Sequence, residues 1–151
     1  MISEVVAIDL DGDVLSRAAV EHPGIVWVRD DVMTHDFGRT FDVLASVATV
    51  HHLPDLGAAL RRLADLTLPG GVLVVVGLAR STTPRDHLLS LVGVAQHQWL
   101  SRRRRFWEHS APTASPAHSY RQVRRIAAEA LPGARWRRFA LWSYALIWTA
   151  E

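Results

Sequence analysis

The stretch that most constrains the fold runs from Phe41 to Gly77, FDVLASVATVHHLPDLGAALRRLADLTLPGGVLVVVG. Phe41 to Ser46 is a short apolar run with one polar residue near its start, the pattern of a strand buried on both faces. A polar joint follows at His51, His52, Pro54 and Asp55. Asp55 is placed to cap a helix whose Leu56, Leu60, Leu63 and Leu66 recur at helical spacing and so share one face. Leu68-Pro69-Gly70-Gly71 should stop that helix, since proline cannot continue it and glycine can take the left-handed turn. Val72 to Val76 is a second apolar run rich in β-branched residues, hence a second strand. Strand, helix and strand at this separation make a βαβ unit of a parallel sheet.

The residues on either side extend the same pattern. Glu4 to Leu10 is an apolar run closed by Asp9, and Asp11 or Asp13 can cap a helix carrying Val14, Leu15, Ala18 and Ala19. His22-Pro23-Gly24 ends it, and Ile25 to Val28 forms another short strand before Arg29-Asp30-Asp31. After Gly77, Thr82-Thr83-Pro84 is a helix start, with Leu88, Leu89, Leu91, Val92 and Ala95 on its apolar face. Ser119 and Gln122 have capping-box spacing, and the helix they open carries Val123, Ile126, Ala127, Ala130 and Leu131. Leu131-Pro132-Gly133 closes it, and Arg135–Leu141 and Trp142–Thr149 are two final strands. Strands alternating with helices fix an α/β class.

At 151 residues the chain is one domain by length, long enough to bury a core. It has no cysteine, which excludes disulfides, thiolate catalysis and cysteine-held metals. No apolar run approaches the roughly 18 residues needed to span a bilayer, and MISEVVAIDLDGD lacks the basic segment and apolar core of a secretory signal, so a cytoplasmic protein is expected. All 17 basic residues are arginine. They are unevenly placed: residues 1–79 hold 11 acidic residues and 5 arginines, and residues 80–151 hold 4 acidic residues and 12 arginines. The second half can therefore attract an anion. Within it, Trp99 to His109 interleaves four consecutive arginines with aromatics, as nucleic-acid or acidic-ligand surfaces do. A solvated helix face with one Trp beneath it is the plainer account, so nucleic acid is not the expected partner.

FDV, HHLPD, the ALRRLADL helix and LPGG before an apolar strand, in this order, resemble the second half of class I S-adenosylmethionine-dependent methyltransferases. The resemblance implies a three-layer Rossmann-like sheet, mostly parallel with an antiparallel C-terminal strand, in family order 3-2-1-4-5-7-6. It implies one methyltransferase domain over residues 1–151, with residues 80–118 as a substrate-side insert. It also implies S-adenosylmethionine as cofactor and methyl transfer to a small-molecule acceptor. Asp9, with the adjoining Leu10, falls where the family binds the ribose hydroxyls. Asp31 and Val32 fall where it meets the adenine, and Ser46 and Val47 where it lines the methyl donor. The chemistry suits a carboxylate at the carboxyl end of a parallel strand, which faces the ligand crevice and accepts two hydroxyls. Helix capping and turn chemistry are the plainer roles for both aspartates. His51 is the candidate general base, since histidine titrates near neutrality; packing at the strand–helix joint is its alternative. No metal site is expected.

AIDLDGDVLS is also similar to the first D-x-D-G-T motif of haloacid-dehalogenase-type phosphatases. That would make Asp9 a nucleophile and Asp11 an acid, with magnesium between carboxylates. The sequence departs from it at Asp13, has no lysine and supplies no late acidic pair. A further alternative is a non-catalytic binding or oligomerising module working through its arginine-rich half. The methyltransferase family's first strand and glycine-rich loop have no counterpart here. The strands at Val5–Leu10 and Phe41–Ser46 would then present unpaired edges, and a homo-oligomer is expected to cover them.

Overall fold

The computed structural model describes residues 4–83, 116–139 and 142–151. It divides the chain into two compact units, Met1–Gly38 and Arg39–Glu151.

In the first unit, strand β1 (Val6–Asp9) and strand β2 (Val26–Arg29) pair in parallel, from Val6 opposite Val26 to Asp9 opposite Arg29. Helix α1 (Gly12–Glu21) joins them. Of the two candidate caps, Asp11 is the one used: its Oδ1 accepts from the amides of Asp13 at 2.9 Å and Val14 at 3.1 Å. The helix ends at Glu21, ahead of Pro23, and Leu15 is its buried residue.

The second unit is a four-stranded sheet in the order β3-β4-β6-β5, built from β3 (Phe41–Val47), β4 (Thr67–Leu78), β5 (Arg135–Arg138) and β6 (Ser143–Thr149). β3 and β4 are parallel, and β6 runs antiparallel to both β4 and β5. Helix α2 (Leu56–Asp65) follows β3, and helix α3 (Tyr120–Ala130) precedes β5. Asp55 caps α2 through the Ala58 amide at 2.9 Å. Ser119 and Gln122 form the expected capping box on α3, with the Ser119 amide donating to Gln122 Oε1 at 2.8 Å. In the numbering of the resembled family the first sheet pairs strands 3 and 2, and the second has the order 4-5-7-6.

Residues opposite one another in neighbouring strands share a face, and alternation sorts the sheet into two. One face carries Leu44, Ser46, Leu73, Val75, Gly77, Tyr144 and Leu146. With Leu60 and Leu63 of α2 and Val123 and Ala127 of α3, it forms the core. On the other, Val43 and Val47 are 67% and 64% exposed. β3 is thus buried on one face rather than on both: Ser46 is buried on the face it shares with Leu73 and Val75, while Val43 and Val47 on the other are exposed.

The helix stop also differs from expectation. α2 ends at Asp65 with Leu66 as its cap, before Leu68-Pro69-Gly70-Gly71. Phe41 donates its amide to the Leu66 carbonyl at 2.9 Å and Thr67 lies opposite Phe41, so strand pairing captures the chain first. Leu68 to Gly71 form an irregularity inside β4: the next register pair is Val43 with Val72. Both glycines are required there. Gly70 has φ +79°, and a Cβ on Gly71 would lie 2.7 Å from the Leu68 carbonyl oxygen and 2.9 Å from that of Asp42.

The expected helix from Pro84 and the arginine run at Trp99–His109 lie outside the described residues. The two ends of that excursion meet, however: the Arg80 amide donates to the His118 carbonyl at 2.8 Å, and Arg80 bridges Ser119 in parallel. No helix among the described residues is long and apolar enough to cross a membrane.

Candidate functional site

The carboxyl ends of parallel strands are where an open α/β sheet presents backbone and side chains to a ligand. In the first unit, Asp9 closes β1, and the amide of Asp30, just past β2, donates to its carbonyl at 3.2 Å. Asp9 Oδ1 accepts from the Asp11 amide at 2.9 Å, while its Oδ2 accepts no hydrogen bond among the described residues. Leu10 is 65% exposed. Asp31 begins the next turn, its Oδ1 taken by the Met33 amide at 2.9 Å. The structure therefore places Asp9, Leu10, Asp31 and Val32 at two adjacent strand ends. Each aspartate performs the turn role that its sequence context favours, and its Oδ2 accepts no hydrogen bond among the described residues.

A pair that the sequence pattern did not single out holds this turn. His35 Nδ1 lies 2.8 Å from Asp30 Oδ2, and the His35 ring meets Phe37 edge to face at 4.6 Å. The hydrogen bond to His35 holds the Asp30 carboxyl below its ordinary range. The Asp30–His35 contact ties both ends of the loop containing Asp31 and Val32. The five-residue spacing of an aspartate and a histidine was its one trace in the sequence.

In the second unit the relevant strand end is that of β3. Ser46 is buried on the core face, and Val47, on the opposite face, is exposed. Immediately after them Ala48 takes φ 55°, a left-handed conformation that costs a non-glycine residue on the order of 1 kcal/mol or more. It is held there by its amide donating to the Val76 carbonyl at 2.8 Å. Thr49 Oγ1 donates to the Val47 carbonyl at 3.1 Å.

A single 3-10 turn, Val50–His52, then presents His51. Its ring stacks at 4.1 Å on that of His52, and its Nδ1 is buried without a hydrogen-bond partner. Burial, and secondly the neighbouring His52, push the His51 pKa below the ordinary 6.5. His51 is consequently neutral at pH 7, with a ring nitrogen able to accept a proton. Ser46 and Val47 thus end β3 on opposite faces, and His51 follows in the turn after it.

Asp11, the acid of the phosphatase alternative, serves in this structure as a helix cap. Its Oδ1 is committed to the α1 cap. Among the described residues, no three of His, Asp and Glu gather as a metal-ligand set. The first unit does carry a hollow of about 500 Å³, lined by Leu10, Asp11, Gly12, Leu15, Trp27 and Arg29. Neither Asp9 nor Asp31 lines it.

Comparison with known proteins bears on what these strand ends serve. The family described as "Methyltransferase domain" matches residues 1–75. An uncharacterized methyltransferase of Mycobacterium tuberculosis is 34% identical over 153 aligned residues, covering 99% of this chain and 77% of that protein. Among solved structures, a possible exported protein of Bordetella parapertussis superimposes with a TM-score of 0.64 at 23% identity. That match covers 97% of this chain, which spans about half, 53%, of the Bordetella chain. The N-methyltransferase NodS of Bradyrhizobium japonicum, solved with S-adenosyl-L-homocysteine, gives a TM-score of 0.60 at 17% identity. That match covers 97% of this chain and 66% of NodS. At such identities the structural likeness is one of fold.

Proposed function

The chain belongs to the methyltransferase-domain family, and on that premise we propose that it transfers a methyl group from S-adenosylmethionine to a small-molecule acceptor. The observation that carries this reading is the pair Asp9 and Asp31, at and just past the carboxyl ends of adjacent parallel strands, each with one carboxylate oxygen that accepts no hydrogen bond among the described residues. NodS, of like fold, was solved with the demethylated form of that cofactor.

The donor chemistry fits the residues present. S-adenosylmethionine supplies a methyl group made electrophilic by the adjoining sulfonium charge. Asp9 would accept the ribose hydroxyls, using Oδ2 and the second lone pair of Oδ1. Asp31 would accept from the adenine amino group, with Leu10 and Val32 flanking the nucleoside. Ser46 and Val47 would line the donor end of the site, where the strained Ala48 turns the chain away from β3. In-line displacement needs positioning above all, and rigid strand ends supply it. His51, neutral at pH 7, would take the proton released by a hydroxyl or amine acceptor. The exposed Val43 and Val47 on end strand β3 favour self-association, which light scattering reads directly.

Calorimetric titration with S-adenosylhomocysteine tests the reading. Binding should saturate at one site per chain, and Asp9→Ala should weaken it by about 1.5–3 kcal/mol per hydrogen bond lost. Equal affinity in the variant would remove Asp9 from the site, and absence of binding by the parent chain would remove the proposal.

A further inference from the structure

The turn after β2 is built around two consecutive aspartates, and the first acts on the second. Asp30 Oδ1 accepts from the Asp31 amide at 2.8 Å, and Asp30 Oδ2 lies 2.8 Å from His35 Nδ1. An ionised carboxylate can only accept, so Nδ1 carries the proton and donates it. That hydrogen bond is the first cause holding the Asp30 carboxyl below its ordinary range, which keeps it charged at pH 7. One side chain thereby grips both ends of the segment from Asp31 to His35.

Between those grips the segment is pinned through Asp31. Its carbonyl accepts from the amides of Thr34 at 3.0 Å and His35 at 2.8 Å, and its Oδ1 accepts from the Met33 amide at 2.9 Å. The His35 ring is held in turn by Phe37, edge to face at 4.6 Å. The Asp30 amide ties the whole turn to the neighbouring strand end, donating to the Asp9 carbonyl at 3.2 Å. Asp30 is thus the link through which His35 reaches Asp31.

The exposure of the pair limits what it does for the fold. The Asp30 side chain is 50% exposed and that of His35 24%. A charged contact this open to water adds little to stability. It acts instead on order: a polar turn at a strand end samples many conformations, and a ligand that needs one of them bears the cost of selecting it. The closed Asp30–His35 contact makes that selection before the ligand arrives.

We propose that Asp30 and His35 are positioning residues that fix the Asp31–Val32 turn for the base of the methyl donor, and so set how strongly the chain selects a 6-aminopurine. The inference rests on the methyl-transfer reading, in which Asp31 accepts from the adenine amino group. A fixed carboxylate rewards a ligand that carries that amino group over one that lacks it. A carboxylate that swings with a loose turn loses the distinction.

Calorimetric titration with S-adenosylhomocysteine, and with its analogue bearing hydrogen in place of the 6-amino group, provides the test. The parent chain should prefer the amino compound by about tenfold or more, the worth of a hydrogen bond to a charged group. His35→Leu should weaken that compound about fivefold and leave the analogue nearly unchanged, so the preference falls to about threefold or less. Asp30→Ala removes the other partner and should collapse the preference in the same way. His35→Asn, whose side-chain N–H can stand where Nδ1–H stood, should retain it. The exposure of both residues lets all three variants fold. An unchanged preference in His35→Leu and Asp30→Ala, or equal weakening of both ligands, would overturn the proposal and leave the methyl-transfer reading standing. So would a parent chain with no preference, or a His35→Asn chain that behaves like His35→Leu. Failure of the parent to bind S-adenosylhomocysteine would overturn that reading and this inference with it.

Discussion

Gly77→Ala should destabilise the second unit by about 1–2 kcal/mol, although alanine is the better residue in an unstrained strand. Gly77 of β4 lies opposite Tyr144 of β6, and a Cβ there would fall 2.6 Å from Tyr144 Cζ and 2.9 Å from Cε1. Carbon atoms make their best contact at about 3.5–4.0 Å, so the overlap is near 1 Å. The ring cannot swing aside: Tyr144 is 1% exposed and stacked on Trp136. Overpacking of this kind costs about 1–3 kcal/mol, while the entropy removed from the unfolded chain returns only about 0.4–1 kcal/mol. For a chain of this size each kcal/mol lowers Tm by about 2–4 °C. Thermal melting followed by near-ultraviolet circular dichroism reads both the loss and the disturbed Trp136–Tyr144 stack. In a Tyr144→Ala background the same glycine substitution should become neutral or stabilising, whereas Tyr144→Phe should give only partial relief: it removes the hydroxyl oxygen, the nearest atom, but leaves the ring carbons within 3 Å. A Gly77→Ala chain melting at or above the parent temperature would refute the reasoning.

Ser119→Ala removes one half of the capping box on α3 and should cost about 1 kcal/mol, read as a lower urea midpoint with an unchanged slope. Burial raises the Tyr144 pKa from 10.0 to about 12, so the folded state keeps a proton that the unfolded state loses. Stability should therefore fall as pH rises from about 10 to 12, by on the order of 3 kcal/mol, and Tyr144→Phe should abolish that dependence in denaturation curves. His51 has the opposite sign: its pKa is depressed below 6.5, so the unfolded state binds the proton first on acidification. Stability should be full above about pH 6.5 and decline just below it, and a His51→Asn chain lacking that component in a pH series of urea melts would confirm the assignment.

The framework was legible because local rules and tertiary structure agree over most of the chain. Asp55 and Ser119 cap the helices their spacing marks, and the β-branched run at Val72–Val76 is the middle of β4. Leu68-Pro69-Gly70-Gly71 carries strong breaker chemistry, yet the helix ends earlier, since pairing of Thr67 with Phe41 is a long-range event that no local pattern encodes. The exposed face of β3 was illegible for the same reason: an apolar run does not reveal what covers each side. At the site, strand-end positions followed from periodicity, placing Asp9, Asp31 and Ser46 without reference to their partners. The Asp30–His35 contact depends on side chains that meet only after folding, and individually they look like ordinary surface residues.

Titration of the 15N-labelled chain with S-adenosylhomocysteine, followed by backbone amide shifts, tests most directly whether these strand ends serve a methyl donor. The account predicts saturable shifts at Asp9 and Leu10, at Asp31 and Val32, and at Ser46 and Val47, all with one dissociation constant. Shifts absent from those positions would contradict it.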